Sequence, residues 1–440
     1  MPPDTIAAIS TPFGEGAIAL LRISGHGAVA IADAVFHGKQ RPSAARPRTA
    51  IFGSVRDGER KLDDVLLTVF QAPHSYTGED LVEIAGHGGV LISRRVLDLV
   101  LARGARSAEP GEFTQRAYLN GKIDLTQAEA VMDLISAQTD LALRAATEQL
   151  EGRLGARIRG LREALLALLA HIEAYIDFPD EDIDPDTGVA LLARVDAILN
   201  EVQALLATAD QGKIMREGVR LVIYGAPNVG KSSLLNLLLG IERAIVSPRP
   251  GTTRDVIEEV INLRGIPVRL SDTAGVRDST DELELAGIER TRRAVERADL
   301  VLHVVDASEP ALPVEEKALL VLNKLDLGEH ESWRGVEAVR ISCRTGAGLE
   351  ALADAVFARV MSGGSAPRDW SLAINARHHA HLDAARGFLE AARDAFVDGL
   401  SPEFVAEELR GALAAVGDVV GGAGTEDLLG KIFSTFCIGK

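Results

Sequence analysis

The spacing of hydrophobic residues changes along the chain and divides it into regions with different predicted folds. The first region mixes short β-type runs, such as residues 17–23 and 65–70, with turns that carry Gly and Pro. Such a mixture is typical of a domain that contains both helices and strands, although it does not give their topology. We therefore predict an α+β domain over residues 1–120.

A helical pattern follows. Between residues 125 and about 209 the chain is rich in Ala and Leu, and apolar residues recur at helical spacing, as in Leu161, Leu165 and Leu168. This period of three to four residues indicates helices with one apolar face. We assign residues 121–216 to the first part of a helical domain.

From residue 217 to 361, β-type runs alternate with helical stretches. The runs are residues 221–224, 268–270, 300–305, 319–322 and 339–341. Alternation of this kind favours a mostly parallel sheet with helices on both faces. Helical spacing then returns over residues 362–440. The simplest architecture is a helical domain into which an α/β domain, 217–361, is inserted at a surface loop.

Composition limits the classes of function. A chain of 440 residues is long enough for two or three domains. The formal net charge of −17 disfavours broad binding to nucleic acid through charge alone, so an RNA partner needs a local patch or shape recognition. With two cysteines, Cys343 and Cys437, no apolar leader and no run of membrane-spanning length, we predict a cytoplasmic protein without a membrane partner.

The octapeptide GAPNVGKS at residues 225–232 fits the P-loop pattern, and it lies between a predicted strand and a predicted helix. Gly225 and Gly230 allow backbone N–H groups to surround phosphate oxygens at a helix N-terminus. Lys231 would neutralise phosphate charge, and Ser232 would offer its hydroxyl to Mg²⁺. This context predicts a nucleoside triphosphate site.

Two further motifs belong to the same phosphate chemistry. The sequence DTAG at residues 272–275 ends a strand, where Asp272 can reach magnesium through water and the Gly275 N–H can contact a γ-phosphate. Between the motifs, GTTRD at residues 251–255 lies where a mobile loop would bring Thr253 onto Mg²⁺. Each short motif alone is weak, but their order is that of a GTPase.

The motif NKLD at residues 323–326 separates GTP from ATP. The Asp326 carboxylate can accept two hydrogen bonds from the guanine N1–H and 2-amino groups, an arrangement that adenine lacks. Ser342 and Cys343 match the last guanine-contacting loop. Cys343 is expected to be a small packed residue, because this position contributes its backbone N–H to the base.

Hydrolysis requires a group that orients water, and small regulatory GTPases use a Gln where this chain has Val276. Valine cannot do this. Asn228 in the P-loop offers an oxygen that could hold K⁺ against the phosphates, in the place of an arginine finger. The alternative is that Asn228 only supports the loop backbone.

Segments outside the α/β domain indicate which GTPase this is. The chain resembles the MnmE (TrmE) family of tRNA-modification GTPases along nearly its whole length. The matching segments are LRISG at 21–25, SYTGED at 75–80, GHGG at 86–89, PGEF at 110–113, IDFP at 176–179 and FCIGK at 436–440.

The resemblance implies an N-terminal domain that forms a homodimer and binds 5-formyltetrahydrofolate or a related one-carbon folate. Arg22, Glu83, Lys122 and Lys440 fall at the folate-binding positions. Cys437 is a possible functional thiol, either a nucleophile or a buried small residue.

The resemblance also implies metal and catalytic positions in the nucleotide site. K⁺ would lie at Asn228, Ser247, Arg249 and Thr252, and Mg²⁺ at Ser232 and Thr253. The implied catalytic residues are Lys231, Asp272 and Glu284, the last of which would organise the hydrolytic water when two GTPase domains meet. The predicted GTP-binding set is Asn228, Val229, Gly230, Lys231, Ser232, Ser233, Ser247, Thr252, Thr253, Asp272, Thr273, Ala274, Gly275, Asn323, Lys324, Asp326, Ser342 and Cys343.

The implied partner is an MnmG-type FAD protein in a heterotetramer. Together the two would add a carboxymethylaminomethyl-type group to C5 of the wobble uridine, U34, of certain tRNAs. Two alternatives stay open: a GTPase that binds ribosomal RNA as an assembly checkpoint, and a non-enzymatic dimeric scaffold whose nucleotide site only locks a conformation.

Overall fold

The computed structural model describes residues 4–177, 188–241, 259–271, 295–311, 318–361, 372–422 and 426–440. The chain separates into two compact units. The first combines Met1–Met132 with Gly417–Lys440, and the second is Asp133–Val416.

The first unit is built on a sheet that has seven strands in the described residues. The strands are β1 (Ile6–Ile9), β2 (Gly16–Ser24), β3 (Phe36–Gly38), β4 (Ala50–Asp57), β5 (Arg60–Phe70), β6 (Leu81–Gly88) and β7 (Arg106–Ser107). Their order is β3-β4-β5-β6-β2-β1-β7, and all neighbours are antiparallel except β1 and β7. The unit also contains the helices α1 (Ala28–Val35), α2 (Val90–Ala102) and α3 (Glu112–Leu119), and the boundary between the two units falls within α4 (Leu125–Ser136).

One face of this sheet forms a core with α1 and α2. In β5, residues with odd numbers such as Val65 and Leu67 are buried in that core, whereas Leu66 points to the other face. Phe52 lies opposite Leu66 in the β4–β5 register. Phe52 and Leu66 are 69% and 51% exposed, so the second face, called the open face below, carries uncovered apolar side chains.

The described helices of the second unit lie before, within and after an α/β region in the sequence. They are α5 (Asp140–Leu150), α6 (Arg153–Asp177), α7 (Gly188–Leu206), α8 (Ala209–Glu217), α9 (Lys231–Ile241), α10 (Leu349–Met361), α11 (Ala376–Val397) and α12 (Pro402–Val420); α13 (Glu426–Ser434) follows in the first unit. Helix α7, before the α/β region in sequence, packs on α11, which follows it. The two helices therefore pack together although the α/β region separates them in the sequence.

The α/β region has six strands in the described residues. They are β8 (Val219–Tyr224), β9 (Glu259–Leu263), β10 (Ile266–Ser271), β11 (Leu300–Asp306), β12 (Leu319–Asn323) and β13 (Val339–Arg340). Their order is β13-β12-β11-β8-β10-β9, and only β9 runs antiparallel to its neighbour. Four of the five predicted runs lie within strands, and the fifth, 339–341, extends one residue beyond β13, whereas β9 was not predicted.

This topology fixes where a ligand binds. Strand β8 lies between β10 and β11, so the chain leaves β8 to one side and returns to its other side. Ligands of open parallel sheets bind at such a switch point, beyond the carboxyl ends of the strands.

In the part of the chain that the structure describes, no helix combines the length and apolar character needed to cross a bilayer.

Candidate functional site

Among the described residues, the P-loop and the two guanine-side motifs lie at the carboxyl edge of the second sheet. The P-loop, residues 225–232, follows β8 directly, Asp306 ends β11 and Asn323 ends β12. The register pairs Asp306 with Asn323. Because these strands are parallel neighbours, their carboxyl ends, and the loops that follow them, lie side by side.

Two glycines allow the P-loop to fold tightly against this edge. Gly225 has φ of 153°, and a Cβ there would lie 2.1 Å from the Val304 carbonyl oxygen. Gly230 has φ of 103°, and its Cβ would lie 2.2 Å from Asn323 Nδ2. A side chain at either position would therefore collide with a fixed neighbour. The glycines are required by the close approach as well as by the backbone conformation.

Lys231 is the first residue of α9 and lies inside the loop. Its Nζ donates hydrogen bonds to the carbonyl oxygens of Gly225 at 2.9 Å and Ala226 at 2.7 Å. Partial burial lowers the pKa of Lys231 below its ordinary value. The ammonium is held at the helix N-terminus, where phosphate groups bind.

Asn323 joins the P-loop to the guanine-side motifs. Its Nδ2 donates to the Val229 carbonyl at 2.8 Å, and its Oδ1 accepts from the Cys343 N–H at 3.0 Å. Asn323 is buried, with 2% exposure. Cys343 packs partly against the core of the α/β region, as expected for a small packed residue, and burial raises the pKa of its thiol.

The Asp326 carboxylate is held at the same edge by two donors. The Ser342 hydroxyl donates to Oδ1 at 2.6 Å, and Arg344 forms an ion pair with Oδ2 at 2.9 Å. The Ser342 hydrogen bond, with the charges of Arg344 and Lys324, lowers the pKa of Asp326. Asp326 is therefore an ionised acceptor at neutral pH, which is the form that reads a guanine edge.

Lys324 and Asp306 form an ion pair that the sequence analysis did not predict. Lys324 Nζ lies 2.7 Å from Asp306 Oδ2. Burial acts to raise the pKa of Asp306, but hydrogen bonds from Lys324 and Ser308 outweigh it and lower the pKa. The available signal was a carboxylate that ends a buried parallel strand.

Other predicted residues of the nucleotide site are only partly described. Asn228 is exposed and has φ of 63°, a conformation that Asn tolerates better than most residues, while Ser232 and Ser233 are exposed on the first turn of α9. The remainder lie outside the described residues: Ser247, Arg249, Thr252, Thr253, Asp272, Thr273, Ala274, Gly275 and Glu284.

A second cluster of charged residues lies on the open face of the first unit. Arg22 and Glu83 are opposite each other in the β2–β6 register, and Arg22 Nε donates to Glu83 Oε1 at 2.9 Å. The Arg22 guanidinium also lies over the Tyr76 ring, 5.6 Å from its centroid. The structure thus brings together two of the four predicted folate-binding residues.

Residues 439 and 440 lie near this cluster. Hydrogen bonds hold them to Ser10, which follows β1, and to α3. The Phe113 N–H donates to the Lys440 carbonyl at 3.1 Å, and the Ser10 hydroxyl donates to the Gly439 carbonyl at 3.0 Å. Burial and the nearby charge of Arg22 lower the pKa of Lys440, while Cys437 and Glu83 act in the opposite direction.

The two remaining predicted residues of this cluster differ in their surroundings. Lys122 makes a separate contact, donating from Nζ to the Pro73 carbonyl at 3.0 Å. Cys437 is exposed, which does not fit the alternative of a buried small residue.

Comparison with known proteins covers both units. The family model "GTP-binding protein TrmE N-terminus" matches residues 5–122, and the model "MnmE helical domain" matches residues 125–437. A tRNA modification GTPase MnmE from Akkermansia muciniphila is 52% identical, over 100% of this chain and 99% of its own length. The chain belongs to the MnmE family.

Other relatives agree with this membership. The Aquifex aeolicus MnmE is 46% identical over 99% of this chain and all of its own length. The chain is also similar to a solved structure, the G domain of the T. maritima FeoB iron transporter, with 29% identity over 32% of this chain and 98% of that one and a TM-score of 0.24. Membership confirms the predicted family, its combination of α/β and helical domains, and the predicted class of GTP-hydrolysing enzyme.

Proposed function

We propose that this MnmE-family chain hydrolyses GTP to drive the modification of tRNA at the wobble uridine, U34, together with an MnmG-type FAD protein. One observation carries the GTP-binding part of the proposal, and the role in tRNA modification rests on membership of the MnmE family. The P-loop, Asn323, Asp326 and the loop at 342–343 lie at one sheet edge, so a single nucleotide can contact all of them.

Different residues of the chain contact different parts of GTP. The P-loop amides and Lys231 bind the phosphates, and Asp326 accepts from the guanine N1–H and 2-amino groups. Ser232 and Thr253 would supply hydroxyl oxygens, which are suitable ligands for Mg²⁺, and the ion would neutralise phosphate charge. For K⁺ the proposed set is Asn228 with Ser247, Arg249 and Thr252, and Asp272 and Glu284 are the proposed groups for the attacking water.

An assay of GTP hydrolysis tests the proposed role of K⁺ directly. GTP turnover is measured with the purified full-length protein in MgCl₂ with either KCl or NaCl at equal ionic strength. We expect faster turnover in KCl, and an Asn228→Ala variant that responds equally to both salts. Equal rates of the wild-type protein in both salts would contradict the K⁺ proposal but leave GTP hydrolysis standing.

The open face of the first unit is proposed as both the folate site and the homodimer surface. Arg22, Glu83 and Lys440 provide the charged groups that a folate needs, because cations hold its glutamate carboxylates and a carboxylate accepts from its pterin N–H groups. Beside them Phe52, Leu66 and Ile18 are 69%, 51% and 66% exposed, and a second copy would cover them.

Two pairs of variants test these roles. Arg22→Gln should weaken the binding of 5-formyltetrahydrofolate, measured by calorimetry, whereas Arg94→Gln, which breaks an exposed ion pair with Asp98 in the same unit, should not. Phe52→Asp should shift the sedimentation coefficient towards the monomer. Leu119→Asp, at another exposed apolar residue of the unit, should leave it unchanged.

The biological role needs a measurement in cells. Nucleoside analysis of tRNA from a strain without this gene should show wobble uridines that lack the carboxymethylaminomethyl-type group. Normal U34 modification in that strain would contradict the proposed role, and an accumulation of immature ribosomal particles would then favour the assembly checkpoint.

A further inference from the structure

The backbone of Lys324 adopts a conformation that needs support. Its φ is 66°, in the left-handed region that residues with a Cβ rarely occupy. Such residues persist only where the surrounding structure holds them, and they concentrate at functional sites. Lys324 lies between Asn323 and Asp326, two residues whose side chains are already fixed at the nucleotide site.

The support for the Lys324 side chain is a buried carboxylate. Asp306 is 8% exposed, whereas the Lys324 side chain is 32% exposed. The Lys324 ammonium therefore reaches inward, and its Nζ meets Asp306 Oδ2 at 2.7 Å. Because the backbone and the ammonium are both held, the conformations open to the four-carbon stem between them are restricted.

Asp306 is itself held rigidly, so it can serve as an anchor. Its Oδ1 accepts from the Ser308 N–H at 3.0 Å and from the Ser308 hydroxyl at 2.7 Å. The Ala307 N–H donates to the Asn323 carbonyl at 2.8 Å, which joins the ends of β11 and β12. One carboxylate oxygen is thus used by the turn after β11, and the other is left for Lys324.

We propose that Asp306 is a positioning residue for guanine nucleotides, which anchors the Lys324 ammonium so that the lysine stem forms a fixed apolar wall for the base. The inference rests on the proposed GTP site. Asp306 acts through Lys324 and touches neither phosphate nor metal. Its contribution is therefore the same for GDP and GTP, which share the base and differ in the phosphates.

A simpler role for Asp306 makes a different prediction. If the Asp306 carboxylate only caps the turn at Ser308, its removal lowers the stability of the protein. The size of that effect is then the same whether or not residue 324 carries a charge. The two roles can therefore be separated by the coupling between Asp306 and Lys324.

The experiment measures dissociation constants of fluorescent GDP and of a non-hydrolysable GTP analogue for the full-length protein. We expect Asp306→Asn to weaken both by the same factor, about 10-fold, because a released lysine side chain must be ordered again on binding. Ser308→Ala is the matched control. It removes the hydroxyl hydrogen bond to the other carboxylate oxygen but keeps the one from the Ser308 backbone N–H, so it should leave both dissociation constants within about twofold, although it lowers the melting temperature.

Lys324→Met keeps most of the stem but removes the ammonium, so it should weaken both nucleotides about as much as Asp306→Asn. In the Lys324→Met background, Asp306→Asn should add no further loss. The inference would be overturned if Asp306→Asn still caused its full loss of nucleotide affinity in the Lys324→Met background. Wild-type affinity in either single variant would also overturn it. Lys324→Met also provides the test if Asp306→Asn does not fold. Failure of the wild-type protein to bind GTP would instead overturn the proposed function.

Discussion

Replacing Gly230 with alanine probes the junction between the P-loop and the guanine-side strand. A Cβ at this position would lie 2.2 Å from Asn323 Nδ2. That atom donates to the Val229 carbonyl at 2.8 Å, so Asn323 cannot withdraw without losing a buried hydrogen bond. The substitution therefore strains the P-loop and loosens its link to β12.

The magnitude follows from two contributions. A residue with a Cβ in the left-handed region costs about 1–2 kcal/mol. Leaving a buried amide unsatisfied costs about 1–3 kcal/mol more. We expect Gly230→Ala to lower the free energy of unfolding of this region by about 2–5 kcal/mol, and to weaken GTP binding because the phosphate-binding amides move.

Urea unfolding followed by tryptophan fluorescence measures this loss, with calorimetry for GTP affinity. Gly240→Ala is the control, since Gly240 lies in the same helix α9 and a Cβ there meets nothing within 4 Å. It should be neutral or stabilising by up to about 1 kcal/mol. In an Asn323→Ala background the steric contribution disappears, and Gly230→Ala should cost only the backbone strain of about 1–2 kcal/mol. The full loss in that background would refute the reasoning.

Three further predictions concern separate parts of the molecule. Asp326→Asn should reduce GTP affinity at least about 10-fold and improve binding of xanthosine triphosphate, since the amide can donate to the xanthine carbonyl; unchanged preference in competition assays would contradict it. Burial acts to raise the pKa of Glu112, but hydrogen bonds, the first from Arg106, hold it below its ordinary value. The ionised carboxylate thus stabilises the first unit above the ordinary pKa and loses this effect as the pH falls through the lowered one. Glu112→Gln should therefore be less stable at pH 7 and show a flatter acid limb in thermal melts, and a parallel limb would argue against it. At Gly439, φ is 93° and a Cβ would lie 2.6 Å from the Ile9 carbonyl oxygen, so Gly439→Ala should weaken folate binding while GTP turnover stays unchanged; equal losses of both would indicate general unfolding.

Local sequence patterns predict the α/β region well, because its buried parallel strands are continuous apolar runs that end in motifs. The predicted runs 300–305 and 319–322 fall in β11 and β12 with nearly the observed bounds. Strand β9, Glu259–Leu263, escaped prediction because an edge strand with a mixed pattern gains its stability from pairing with β10.

Contacts between residues far apart in sequence could not be predicted from pattern alone. The order of the seven-stranded sheet depends on pairings between distant strands, such as β1 with β7. Ser10 and Gly439 are 429 positions apart, yet their hydrogen bond helps to place Lys440 near Arg22. The family resemblance indicated that Arg22 and Lys440 belong to one site. Spacing and hydropathy carry no signal for such a contact.

Calorimetric titration of the purified protein with GTP and with ATP, each in magnesium and potassium buffer, tests the central claim most directly. The arrangement of Lys231 among the P-loop carbonyls and of the Asp326 carboxylate beside Ser342 predicts saturable GTP binding. It also predicts ATP binding weaker by at least about 100-fold, since adenine would leave the carboxylate unpaired. Equal affinity for the two nucleotides, or no binding of GTP, would contradict the account.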